Sequence, residues 1–277
     1  MKANFKGELR KMPVKIVAGV IQYELIFYDS ATKDQQSIPL NKLIGQEIKF
    51  EFQNTIICKK CGRKTKTSFN QGFCYPCFKN APESAECIIR PELCEAHLGK
   101  GRDIEWEEKH HNQPHIVYLA ASDVIKVGVT RNTQIPTRWI DQGAVKAIKL
   151  AETPNRYLAG VIEVALKSQF TDKTNWRKML RNDIDESIDL EEAKWELEEL
   201  LPDDIAQYIT DDDEPIDLSY PVMEYPQKIN SINLDKSPTI SGQLKGIKGQ
   251  YIILDNNRVM NIRRHTSYQV EFTHSIE

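Results

Sequence analysis

The chain of 277 residues has no long apolar run. Nothing in it approaches the roughly 20 consecutive apolar residues that a membrane span requires, so no membrane partner is expected. The opening MKANFKGELRK carries no apolar core of the kind that marks a secretory signal. The expected compartment is therefore the cytoplasm. Cysteine is absent before position 58 and after position 94, although six are present. Cysteines crowded into one short stretch of such a chain argue for metal binding rather than a disulfide framework. A large excess of either charge is also missing: the net charge is −3. With 40% hydrophobic and 28% charged residues, the composition is that of a globular protein with a sizeable core.

That small net charge conceals a strong asymmetry. Between Asp183 and Asp217 there are 16 acidic residues and a single basic one, Lys194, while the remainder holds 36 basic and 24 acidic residues. A basic body suits a polyanion such as DNA or RNA, and an acidic segment can compete for the same surface. The plainer reading is a solvated helix and loop.

Patterning divides the chain into five stretches. Residues 1–56 read as a β-module, with β-branched and aromatic runs such as VKIVAGVIQYELIFYDS and EIKFEFQ. Residues 57–113 hold the six cysteines and three of the six histidines. Residues 114–182 begin as strands and continue as helix, 183–229 form an acidic helical linker, and 230–277 return to β. In the linker, DLEEAKWELEELL places Leu190, Ala193, Leu197 and Leu200/Leu201 on one stripe. The two ends also resemble each other: GELRKM matches GQLKGI, YELIFYD matches YIILDNN, and GQEIKFEF matches SYQVEFTH. This suggests two copies of a small β-unit that pair across the middle of the chain, or else chance likeness between short alternating strands.

Two C-x-x-C pairs, Cys58/Cys61 and Cys74/Cys77, are separated by twelve residues. Each pair makes a tight turn that aims two thiolates at one ion, and two such turns complete a tetrahedral four-thiolate zinc site. Gly62 and Gly72 fit the turns. The intervening Arg63, Lys64, Lys66, Phe69 and Phe73 mix charge with aromatics, as nucleic-acid contacts do and as an ordinary solvated hairpin also does. Cys87 and Cys94 remain, followed by His97, His110, His111 and His115. A second metal site from Cys87, Cys94, His97 and His110 is the alternative to free thiols and surface histidines.

HIVYLAASDVIKVGVT, from His115 to Thr130, reads as a hairpin with Tyr118 in its first strand and Lys126 and Gly128 in its second. A glycine inside a strand marks a close approach. A helix starts near Pro136 and carries Arg138. A second, NRYLAGVIEVALKSQF, has Leu158, Val161, Ile162, Ala165, Leu166 and Phe170 on its apolar face, Glu163 at the border and Gly160 one turn earlier. By residue type alone, Tyr118 is a core residue and Arg138 a surface one. Glu163 is less ordinary, since a carboxylate at a buried border is costly unless paired.

In order, Val117-Tyr118, Lys126-Val127-Gly128, Arg138, Glu163 and Asn175 resemble the GIY-YIG nuclease superfamily over residues 115–176. Lys126 stands where the second tyrosine usually stands, and Gln142 where a histidine is frequent. The C-x-x-C pairs, R-W-I-D-Q-G-A and D-K-T-N-W-R also resemble a bacterial family of unknown function. The patterning above gives an α+β chain with β-modules at both termini and a zinc ribbon, and the first resemblance adds a central GIY-YIG-like hairpin and helix core. It further implies metal-dependent cleavage of DNA or RNA. Glu163 would hold magnesium or manganese, Arg138 would neutralise phosphate charge, and Tyr118 with Lys126 would act on the attacking water. Gly128 and Asn175 would support the site. A nucleic-acid-binding protein that keeps the fold without cutting is the other reading.

Overall fold

The computed structural model describes residues 2–167, 169, 175–199 and 201–275. Phe170, Leu200 and the Asp-Lys-Thr at 172–174, which the sequence placed on helix stripes or in a motif, lie outside the described residues. The architecture is mixed α+β with large sheets. Contacts divide the chain into two units, Met1–Lys79 with Ser219–Glu277, and Asn80–Leu218. The boundary at Lys79 falls inside the 57–113 cysteine region, separating the C-x-x-C pairs from Cys87 and Cys94. No helix among the described residues is long and apolar enough to cross a membrane.

The first unit is built on an eleven-stranded sheet. Its strands alternate buried and partly exposed side chains, as Ile21, Tyr23 and Leu25 do in Val20–Tyr28. Ala18 and Gly19, both at positive φ, close the preceding hairpin with the two-residue turn that suits twisted strands.

The internal likeness is written into this sheet. Its central order is Tyr251–Leu254, Thr239–Lys248, Glu47–Ile57, Tyr268–Ser275, Lys2–Leu9, Val20–Tyr28. Each end contributes three strands, and exchanging the two ends leaves the order unchanged. The register obeys the same exchange: Gly7 pairs with Val270 and Gly242 with Ile48. Phe50 pairs with Phe272 at the centre, with ring centroids 4.8 Å apart. The equivalent residues Gly45 and Ser267 both sit at positive φ, and their N–H groups donate to the equivalent carbonyls of Leu244 and Leu9. Chance likeness of short strands does not reproduce register and turn conformation together, so the ends form one pseudo-two-fold module.

The second unit has a four-stranded sheet in the order Ile216–Asp217, Lys146–Thr153, His115–Ala121, Ile125–Arg131. Val117, Leu119 and Ala121 point to one face, where Ala159, Ile162 and Leu166 of the Arg156–Leu166 helix pack on them. The expected apolar stripe is thus rotated: Ala165 is exposed, while Arg156 and Gly160 are buried. The rotation arises because this helix is covered on a second side. A Cβ at Gly160 would meet the Glu92 backbone nitrogen at 2.2 Å.

The acidic segment is not a linker. Leu190, Leu197 and Leu201 join the same core, with Ala193 packed against it. Lys194 is fully buried, donates to the Thr210 and Asp212 carbonyls, and pairs with Asp213 at 2.6 Å. One buried cation and an apolar stripe fold the acidic stretch back onto the sheet. Its remaining charges face solvent.

Candidate functional site

The Glu47–Ile57 strand runs directly into the first cysteine pair. Gly62, at φ +71°, turns the chain, and its N–H donates to the Cys58 carbonyl at 2.9 Å. Cys58 N–H in turn donates to Arg63, and Lys59 N–H to Gly72. The thiols of Cys58, Cys61, Cys74 and Cys77 lie within 4.8 Å of one another. The Cys61 and Cys74 sulfurs are 3.7 Å apart. A tetrahedral site with Zn–S bonds near 2.3 Å has an S···S edge of about 3.75 Å, so the four could hold a metal such as zinc. Burial disfavours the Cys58 thiolate, yet the N–H groups of Cys61, Cys74 and Lys60 outweigh it and hold that thiol down to about 6. Burial and the neighbouring sulfurs push Cys77 up to about 12. Of the aromatics between the pairs, Phe73 is buried beneath Lys59 and Phe69 packs on Tyr75 and Phe78. Arg63, Lys64 and Lys66 are exposed.

A second cluster lies in the other unit, with different members from those expected. Cys87 and Cys94 meet Glu107 and His111, all four ligand atoms within 4.8 Å. His97 stacks on Tyr157, and His110 stacks on Trp106 while its Nδ1 bonds that residue's carbonyl. The reason is helical phase. Glu107 and His111, four apart on the Ile104–His111 helix, share a face that His110 misses by about 100°. The signal was E-x-x-x-H, legible once a carboxylate is admitted as a ligand.

The hairpin brings Tyr118 opposite Gly128 and Ala120 opposite Lys126. Directly opposed residues share a face, so Tyr118, Lys126 and Gly128 lie on one side of the sheet. Gly128 admits no ligand: a Cβ there would meet the Tyr118 hydroxyl at 2.5 Å and its Cζ at 2.6 Å. The glycine makes room for the tyrosine ring. That ring is fully buried, tilted against Trp139, and its hydroxyl donates to Gln142 Oε1 at 2.6 Å. Gln142 is therefore a direct partner of Tyr118, legible in the sequence only as a departure from the family pattern.

Burial raises the Tyr118 phenol; the charge and hydrogen bond of Arg138 and the bond to Gln142 oppose this, and the Glu163 charge adds to the rise. Arg138, Gln142 and Glu163 thus each act on Tyr118, from the Thr137–Asp141 helix, its end, and the Arg156–Leu166 helix. Arg156 lies within reach of Arg138 and Glu163 as well, and its charge is disfavoured mainly by burial. Lys126 is half-buried, which lowers its pKa, and the charge of Asp123 in the hairpin turn opposes that shift. Asn175 caps the Trp176–Arg181 helix, accepting from the N–H groups of Arg177 and Lys178. Its side chain is committed to the helix end.

A family model described as a protein of unknown function (DUF2797) matches residues 45–270. No curated protein and no solved structure matches the chain.

Proposed function

The chain belongs to this DUF2797 family, and from that premise we propose that the Asn80–Leu218 unit hydrolyses phosphodiester bonds in DNA or RNA, in the manner of the GIY-YIG nucleases it resembles. The observation that carries the reading is that Arg138 and Glu163, from two different helices, both act electrostatically on Tyr118 of the hairpin. Arg138, partly exposed, supplies donors for phosphate oxygens and offsets the charge that builds there. Glu163 is the carboxylate for a hard cation. Magnesium or manganese, when bound, supplies Lewis-acid polarisation and an activated water.

Tyr118 keeps its proton at neutral pH, because burial raises its pKa. Its role is to fix Arg138 and Gln142 rather than to deprotonate water. Lys126, on the same sheet face as Tyr118, is the second cation for the phosphate and the water. A structural zinc in the Cys58 cluster holds the hairpin that presents Arg63, Lys64 and Lys66 to the nucleic-acid backbone.

One observation favours the second reading, phosphate binding without cleavage: the Tyr118 hydroxyl is buried and already engaged. The deciding experiment is a nicking assay on DNA and RNA with magnesium or manganese, beside a binding assay. Glu163→Gln should abolish metal-dependent nicking and preserve salt-sensitive binding. Wild-type protein that binds but never nicks with either ion would establish the second reading, and absence of binding at low salt would refute both.

A further inference from the structure

The helix Ile104–His111 docks in an unusual way. Asp103 caps it by accepting from the Trp106 N–H, and its two buried residues are Glu107 and His111. Helices ordinarily dock by burying hydrocarbon. Here a carboxylate and an imidazole are each only 3% exposed and lie beside the sulfurs of Cys87 and Cys94. Such a group of ionisable side chains is costly to bury unless a cation balances it.

We propose that Cys87, Cys94, Glu107 and His111 bind a second zinc ion, and that this ion closes the segment 87–111, which is docked on the Arg156–Leu166 helix. The geometry fits. His111 Nδ1 stands 3.6 Å from the Cys94 sulfur and 3.9 Å from the Cys87 sulfur, and it lies against a Glu107 carboxylate oxygen. With Zn–S near 2.3 Å and Zn–N near 2.05 Å, a tetrahedral S···N edge is about 3.55 Å. Two thiolates, one imidazole and one carboxylate form a borderline donor set. It suits zinc better than the all-oxygen ions or an all-sulfur cluster. The site is closed by four protein ligands, which marks it as structural. Gly101 completes the closure, because a Cβ there would meet Glu107 Cγ at 2.4 Å.

The ligand loop is fastened to the helix at two points. Arg156 Nε donates to the Cys87 carbonyl and Nη2 to that of Ile88, each at 2.9 Å. One turn on, the Gly160 backbone lies against Pro91 and Glu92, between the two cysteines. Glu163 is three residues farther along the same helix. Metal bound at the loop thereby sets the position of the helix that carries Glu163. The proposal holds whether or not the unit cleaves nucleic acid.

The test is zinc content of the full-length protein after dialysis against a chelator-treated buffer. Wild type should retain two zinc ions per chain. Cys94→Ser and His111→Ala should each retain one, as should Cys58→Ser, and Cys58→Ser combined with Cys94→Ser should retain none. X-ray absorption at the zinc edge needs no variant. Four sulfurs at one ion and two at the other give an average of about three per zinc, with nitrogen or oxygen completing the shell. One zinc per chain with four sulfur neighbours would overturn the proposal. So would a Cys94→Ser protein that keeps two.

Discussion

Replacing Gly128 with alanine tests the packing at the centre of the hairpin. The new Cβ would overlap the Tyr118 hydroxyl and Cζ, both inside 3 Å, in a ring with 1% exposure and a hydroxyl bonded to Gln142. Such a ring cannot swing into solvent. Overpacking costs about 1–3 kcal/mol, and displacing the hydroxyl costs about 1 kcal/mol more for the broken hydrogen bond. Against this, removing a glycine from a strand returns about 0.5–1 kcal/mol. The net loss is about 1–3 kcal/mol, equivalent to a fall in Tm of about 4–10 °C for a unit of this size. Thermal melts followed by near-ultraviolet circular dichroism supply the readout. A double-mutant cycle assigns the cause. In a Tyr118→Leu background the colliding hydroxyl and Cζ are gone, so Gly128→Ala should be neutral or stabilising, a coupling of about 2 kcal/mol. A Gly128→Ala substitution that raises Tm in the wild-type background, or lowers it equally in both, would show that the Tyr118 ring does not fill that space.

His265 gives a pH prediction. It is fully buried, receives the Leu234 N–H at Nε2, and bonds the Asn261 carbonyl through Nδ1, which fixes the neutral ring. Burial lowers it to about 4, with Asp235 opposing. A folded-state pKa below the unfolded value gives stability that is complete above about 6.5 and is lost as pH falls toward 4, at most about 3 kcal/mol. His265→Gln should flatten urea-derived stability across that window, and an unchanged slope would refute the assignment. Lys194→Met removes the buried ammonium that ties the helix at 190–198 to residues 210–213. It should cost about 2–4 kcal/mol in thermal or urea unfolding, whereas no change would make the acidic segment a detachable linker.

Several features were legible because they are local or periodic. Two C-x-x-C turns bring their own thiols together, since the geometry lies within each turn. The hairpin strands announced themselves by β-branched runs, and the likeness of the two chain ends already contained a module that pairs across the middle. Even the register of that module follows from symmetry once the ends are matched. The sequence by itself therefore determined the α+β class, the four-cysteine cluster and the partnership of the termini.

Other features depended on which distant residues pack together. Helical phase, not the presence of histidines, selected Glu107 and His111 over His97 and His110 as neighbours of Cys87 and Cys94. A buried lysine converted an acidic stretch from linker to core. Asn175 became a helix cap, and Gly128 became the space for a tyrosine ring rather than for a ligand. Residue types and spacings fix what a segment can do locally. Steric fit and the pairing of buried charges, which exist only once the segments are packed, decided what each of these residues does.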